Sequence, residues 1–233
     1  MGTMIQLTAG DGVTIDAYKA EPEGPPRGGV VVLQEIFGVN AHIKRVADRF
    51  AREGYLVIAP ALFDRVEHGV ELGYAAEEFP AAVGLVQRVD HAKTPLDVAA
   101  AVTAASEGGK VAVVGYCWGG SLAYQAACST DGVAAAVGYY GGNIAKSLDR
   151  RPTVPVMLHL GERDDHIPMS DVAAIKAALP DVPIFTYDAG HGFNCDARAS
   201  FDEPSAAKAL ERTLAFLSET VGSERPTSSP SGA

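Results

Sequence analysis

KVAVVGYCWGG, residues 110–120, runs from an unbroken apolar stretch through a glycine-flanked cysteine into the small-residue segment SLAYQAAC, residues 121–128. The short valine-rich run reads as a buried strand, and the segment after the glycines reads as a helix. The bend between them, Gly115-Tyr116-Cys117-Trp118-Gly119, has the spacing G-x-S-x-G with cysteine in the place of serine. That spacing marks a strand-to-helix turn that lifts its central side chain above the sheet. The central residue takes a strained backbone, and the glycines let strand and helix approach without side-chain clash. Cys117 would stand at a helix N-terminus, whose partial positive charge favours a thiolate, and the Trp118 N–H would face an oxyanion formed beside the sulfur. Taken alone, the stretch also fits a tight packing turn with an inert buried thiol.

The pattern of strand followed by helix recurs in both directions from this bend. MIQLTA and VTIDAYKA flank the turn signal Gly10-Asp11-Gly12 and predict an N-terminal β-hairpin. VVVLQ (30–34) is a continuous apolar run of the buried parallel type, and NAHIKRVADRFAREG (40–54) has helical spacing and ends on Gly54. YLVIAP is the next strand; residues 75–107 read as helix, interrupted near Thr94-Pro95, where proline suits a new first turn. VAAAVGYY, VPVMLHLG and PIFTYD read as strands, with helices near 170–178 and from about Pro204. Apolar strands alternating with helices predict one α/β domain, a mostly parallel sheet covered on both faces, spanning residues 1–221. The polar, Pro/Ser-rich GSERPTSSPSGA (222–233) is expected to be a disordered tail.

Composition narrows the function classes. The chain has 233 residues, 47% of them hydrophobic and 21% charged, with a formal net charge of −10. Nucleic-acid binding needs clustered Lys and Arg and is not expected. No apolar stretch is long enough to cross a bilayer, and the N-terminus lacks the basic region and apolar core of a signal peptide. The 3 cysteines, at 117, 128 and 195, form neither an even framework nor a CxxC pair, which predicts reduced thiols and a cytoplasmic location. A monomer or small homo-oligomer is expected.

A nucleophilic thiol needs a base, and the base needs an orienting group. GERDDHIP (161–168) follows one buried strand and puts Asp164 and Asp165 in its loop; AGHGFN (189–194) follows another and puts His191 between two glycines. The order nucleophile, acid, histidine and the placement at strand ends fit a Cys–Asp–His triad. Either aspartate could serve, and either could be a turn former or helix cap. His159, inside an apolar strand, reads as a hydrogen-bonded core histidine, Cys128 as core, and Cys195, within FNCDAR, as an exposed bystander. His159, Asp164, Asp165, His166 and His191 lack a recognised metal-ligand spacing, so no metal and no cofactor is expected.

With these segments assembled, the chain resembles the dienelactone hydrolase (carboxymethylenebutenolidase) family of the α/β-hydrolase superfamily. The resemblance is carried by VVLQEIFGVN, GYLVIAPALF, VGYCWGG, VGYYGG, HLGERDDHIP and AGHGF, from about residue 30 to residue 193. It implies an α/β-hydrolase fold with Cys117 as nucleophile and His191 as base. Counting back from Ile167-Pro168 in the family pattern selects Asp164 as the acid, with Asp165 as fallback. Glu35 matches a glutamate that the family places beside the resting thiol, keeping it neutral until substrate displaces the carboxylate. An acid directly after a buried strand at this edge is also seldom there for packing. Ile36 matches a second oxyanion-hole N–H beside that of Trp118. The chain departs from the family at position 195, where a substrate-binding arginine is replaced by cysteine; Arg198 lies nearby but out of register, and neither Arg65 nor Arg88 matches the family's other arginine.

The expected function is hydrolysis of a small lactone or ester through a thioester, with no cofactor. A broad short-chain ester or thioester hydrolase with the same triad is the alternative. A noncatalytic scaffold is a further one, disfavoured by the intact Cys, Asp and His set.

Overall fold

Eight strands form one sheet in the order β1-β2-β4-β3-β5-β6-β7-β8 in a computed structural model that describes residues 2–222. The strands are β1 Thr3–Thr8, β2 Thr14–Ala20, β3 Gly29–Leu33, β4 Leu56–Pro60, β5 Val111–Tyr116, β6 Val133–Tyr139, β7 Val156–Gly161 and β8 Ile184–Tyr187. The helices are α1 Ala41–Arg52, α2 Phe79–Arg88, α3 Thr94–Ala105, α4 Trp118–Ser129, α5 Met169–Ala178 and α6 Glu203–Thr220. The expected hairpin is β1–β2, antiparallel around the Gly10-Asp11-Gly12 turn; β2 also runs antiparallel to β4, and every other pairing is parallel. The tail expected at 222–233 lies outside the described residues from 223 onward.

The apolar runs form interior strands because both of their faces are covered. In β3, Val30, Val31, Val32 and Leu33 are each 0% exposed. The two-residue period of a strand sends neighbours to opposite faces. Val30, Val32, Val57, Ala59, Ala112 and Val114 join a cluster with Ile43, Val46 and Phe50 of α1 and Leu217 of α6. Val31, Leu33, Ile58, Val111 and Val113 join another with Val98, Ala101 and Val102 of α3 and Leu122, Ala123 and Ala126 of α4. Asn40 starts α1 by accepting the Ile43 N–H at 3.2 Å, and Gly54, at φ +97°, turns the chain out of it. Proline stands in the first turn of α2, α3 and α6, where its missing N–H costs nothing.

From β3 the chain winds outward to β4, then returns to β5 on the other side and continues to β6, β7 and β8. The order therefore reverses between β3 and β5, and open α/β sheets hold ligands at the carboxyl ends of strands at such a point. The loops after β3, β5, β7 and β8 carry Glu35, Cys117, Asp164 and His191 to that edge.

Candidate active site

The bend after β5 has the backbone that its glycines foretell. Cys117 sits at φ 55°, ψ −115°, one of two non-glycine residues with positive φ among the described residues. Such a conformation costs on the order of 1–3 kcal/mol and persists only where the surroundings enforce it. Here the Cys117 N–H donates to the Tyr139 carbonyl of β6 at 3.0 Å, and its carbonyl accepts the Gly120 N–H at 3.0 Å. The approach of strand and helix leaves no room for side chains beside it. A Cβ on Gly115 would lie 1.9 Å from the Gly119 carbonyl oxygen, and one on Gly119 would lie 2.4 Å from that of Leu33.

The thiol meets the imidazole it was expected to meet. His191 Nε2 is 3.1 Å from Cys117 Sγ, and His191 Nδ1 donates to Asp164 Oδ2 at 2.8 Å. Asp164 is itself fixed, its Oδ1 accepting the N–H groups of His166 and Ile167 at 2.8 and 3.1 Å. Geometry thus separates the two aspartates: Asp165 is 81% exposed and faces His166. Burial would lower the His191 pKa, but the hydrogen bonds of its ring with Asp164 and Cys117 outweigh it and raise the value to about 10. The imidazole therefore has a raised affinity for a proton at the nitrogen that faces the sulfur.

Ile36 and Trp118 line the same cavity as the thiol. The Gly119 N–H donates to the Gln34 carbonyl at 3.1 Å, which ties the start of α4 to the loop after β3. Gln34 is fully buried and secures that loop further, accepting the Leu62 N–H at 3.1 Å and donating to the Glu35 carbonyl at 3.3 Å. Ile36 and Trp118 are thereby brought to one cavity with Cys117, and neither of their N–H groups donates to a protein acceptor among the described residues. The Trp118 N–H, at the start of α4, is a donor of the kind suited to a developing oxyanion.

Glu35 is 0% exposed, and its hydrogen bonds run to residues other than the thiol. Tyr74 donates its hydroxyl to Oε2 at 2.6 Å, and Arg198 Nη1 donates to Oε1 at 3.2 Å. Burial, followed by the Glu35 charge, pushes the Tyr74 hydroxyl far up, so it remains a donor. Arg198 also lies over the rings of Phe37 and Tyr74, 5.9 Å from each centroid.

Arg198, out of register with the family's arginine, nevertheless lines the cavity. The Cys195 N–H bonds back to the Gly192 carbonyl and the Arg198 N–H to that of Cys195, so the segment advances in turns of three residues. Residues three apart in such turns return to the same side, and Arg198 arrives one turn beyond the position where the family pattern expects a cation. Cys195 itself corrects an expectation: it is 0% exposed rather than on an open loop, and burial, with the Glu35 charge second, raises its pKa to about 12. Arg65 is committed elsewhere, to Asp97 at 2.8 Å and Asp11 at 2.9 Å, and Arg88 pairs with Glu67 on the surface.

The cavity above the thiol has a volume of about 240 Å³, and its walls include Phe37, Phe79, Val86, Trp118, His166 and Arg198. Trp118 is held by a parallel stack on Phe63, ring centres 5.4 Å apart. A larger cleft of about 490 Å³ lies at the opposite ends of the strands, between the start of β7 and the end of α5. It contains none of the residues above, and its size gives it no chemistry. His159 is a core histidine as expected, with Nδ1 2.8 Å from the Tyr187 hydroxyl and Nε2 3.1 Å from Thr213 Oγ1. Cys128 is half-buried against the core. Among the described residues no helix is long and apolar enough to cross a membrane.

Residues 15–221 match the model of the dienelactone hydrolase family. A carboxymethylenebutenolidase of Pseudomonas putida is 34% identical over 224 residues, covering 91% of this chain and 94% of its own. A crystal structure from Klebsiella pneumoniae subsp. pneumoniae that carries a dienelactone hydrolase name superposes with a TM-score of 0.81 at 31% identity, covering 94% of this chain and 99% of its own. A dienelactone hydrolase-like promiscuous phosphotriesterase from metagenomic libraries has the same fold, with a TM-score of 0.75 at 23% identity over 95% of this chain and 99% of its own.

Proposed function

As a member of the dienelactone hydrolase family, to which this chain belongs, the protein is a hydrolase of carboxylic esters or lactones, and we propose that Cys117 is its nucleophile. The observation that carries this reading is the continuous chain from Cys117 Sγ through His191 to Asp164, ending in the cavity at the switch point of the sheet. His191 Nε2 takes the thiol proton, and the sulfur adds to the substrate carbonyl carbon. The Ile36 and Trp118 N–H groups receive the charge that develops on the carbonyl oxygen. Collapse of this intermediate breaks the C–O bond; His191 returns its proton to the departing alkoxide and a thioester remains. In a lactone that alkoxide stays tethered to the acyl group. Water then attacks the thioester, His191 takes its proton, and the carboxylic acid leaves as the sulfur is released.

Two features support a substrate that joins an apolar body to a carboxylate. The walls are largely Phe37, Phe79, Val86 and Trp118, and Arg198 is the one lining arginine among the described residues. The Glu35 carboxylate competes for that guanidinium, which favours a second reading: a broader hydrolase of short neutral esters or thioesters. Comparing a dienelactone with neutral aryl esters and acyl thioesters separates the two. The three free cysteines support a cytoplasmic location.

The test of the chemistry is direct. Cys117→Ala is expected to lower kcat/KM on esters and lactones by about 10⁴-fold or more, and iodoacetamide is expected to label Cys117 ahead of Cys128 and Cys195. Full activity in Cys117→Ala would overturn the assignment.

A further inference from the structure

Beneath the Arg198 side of the pocket lies a second cluster, which shares Glu35 with the pocket and contains none of Cys117, Asp164 and His191. Glu35, His42 and Cys195 each bring one metal-binding atom within 4.8 Å of the other two, and all three side chains are buried. They come from the loop after β3, the first turn of α1 and the turns after His191. His42 is 3% exposed, and its Nδ1 is bonded to Asp196 Oδ1 at 2.8 Å. Arg45 donates to that same oxygen at 2.8 Å and so fixes the carboxylate. The other ring nitrogen, Nε2, is buried with no protein partner. An unmatched nitrogen in such a place is costly and points to an occupant. The Tyr140 hydroxyl, fully buried and also without a partner, lies close enough to Glu35, Cys195 and Cys117 that their charges add to burial in opposing its ionisation.

The donor set indicates which occupant. One thiol, one imidazole and one carboxylate suit a borderline-soft cation of the Zn²⁺ type, which takes sulfur, nitrogen and oxygen together in a tetrahedron. Ligand atoms around such an ion stand about 3.3–3.8 Å apart, so the three groups would close by roughly 1 Å. A histidine that donates its other ring nitrogen to a fixed carboxylate, as His42 does to Asp196, is oriented as metal-bound histidines are.

We propose that Glu35, His42 and Cys195 bind a thiophilic divalent cation, with Zn²⁺ the reference ion. Binding forms a bond from the metal to the Cys195 sulfur and releases the thiol proton to solvent, one proton from sulfur for each ion, so affinity rises with pH. The arrangement does not depend on Cys117 being the nucleophile. It couples to the pocket through Glu35, which holds Arg198 now and would be shared with the ion.

Co²⁺, with Zn²⁺ as competitor, tests this on full-length protein carrying Cys117→Ser, which removes the other thiol–imidazole pair. The expected result is one Co²⁺ per chain, a sulfur-to-cobalt charge-transfer band, proton release, and displacement by Zn²⁺. Cys195→Ser in that background abolishes the band; His42→Ala weakens binding by about 100-fold or more, and Asp196→Asn by about 10–100-fold. Circular dichroism establishes that each variant is folded. A band that survives Cys195→Ser, binding indifferent to His42→Ala, or a folded Cys117→Ser protein that gives no thiolate band overturns the proposal. In the last case, ordered water satisfies His42 Nε2.

Discussion

His159, inside β7, and His191, in the loop after β8, are both buried, at 0% and 7% exposure, and both use both ring nitrogens. Their pKa values nevertheless move in opposite directions. Burial, with the Arg212 charge second, lowers His159 to about 3, because its partners are the neutral hydroxyls of Tyr187 and Thr213. His191 rises to about 10 against the same burial, because its partners are a carboxylate and a thiol. Burial alone therefore says little about what a histidine does; the charge its neighbours can take decides whether it is core or reactive. The contrast also sets the pH dependence of stability. Between about pH 6.5 and 3 the unfolded chain takes up the proton that folded His159 refuses, so stability falls as pH falls. The His191 contribution is complete below its unfolded value of 6.5 and is lost as pH rises through about 10.

Exchanging each histidine for glutamine tries this contrast most severely. His191→Gln is expected to reduce kcat/KM by about 10⁴-fold or more, to lower stability at neutral pH, and to remove the loss of stability on the alkaline side. His159→Gln is expected to retain activity within about tenfold and to flatten the acid side of the stability curve. That curve would otherwise lose on the order of 4 kcal/mol toward pH 3 from this residue. Denaturant titrations from pH 7 to pH 3 measure the slope; an unchanged slope in His159→Gln would mean that some other group sets it. Asp164→Asn should cost about 10³–10⁴-fold in kcat. Because Asp164 helps raise the His191 value, the alkaline limb of the rate profile, expected near pH 10 in the wild type, should move toward neutrality. A limb that stays in place would assign it to another group.

The contrast between the two histidines was readable in part before any coordinates. Glycines on either side of His191, and apolar neighbours on either side of His159, separated a loop residue from a core residue. Likewise the spacing in VGYCWGG foretold the bend, because glycines at 115 and 119 are demanded by backbone contacts that any side chain would break. What the sequence hid are contacts that no linear spacing encodes. The choice of Asp164 over Asp165 follows from two backbone N–H groups that hold one carboxylate inward. Gln34 looked like the end of a strand, yet its amide fastens the loop bearing Ile36 to Leu62. Cys195 looked exposed because FNCDAR is polar, whereas its turns fold it beneath Tyr74 and Glu35. Glu35, His42 and Cys195 lie too far apart along the chain for any ligand motif to reveal them.

Arg198 offers the smallest and most discriminating effect, since it bears on specificity alone. Its guanidinium is divided between Glu35 and the cavity, so a substrate carboxylate must share it. Arg198→Met keeps much of the apolar stem and removes the charge that lies over Phe37 and Tyr74. If the pocket is built for an anionic lactone, kcat/KM on a carboxylate-bearing lactone should fall by about 10–100-fold, mostly through KM, while neutral aryl esters change by less than about threefold. The loss should shrink as salt is added, because a partly exposed charge contact is screened. Equal losses on both substrates would instead show that Arg198 acts by holding Glu35. Glu35→Gln would then reproduce the effect, whereas under the first reading it frees the guanidinium and improves binding of the anionic substrate.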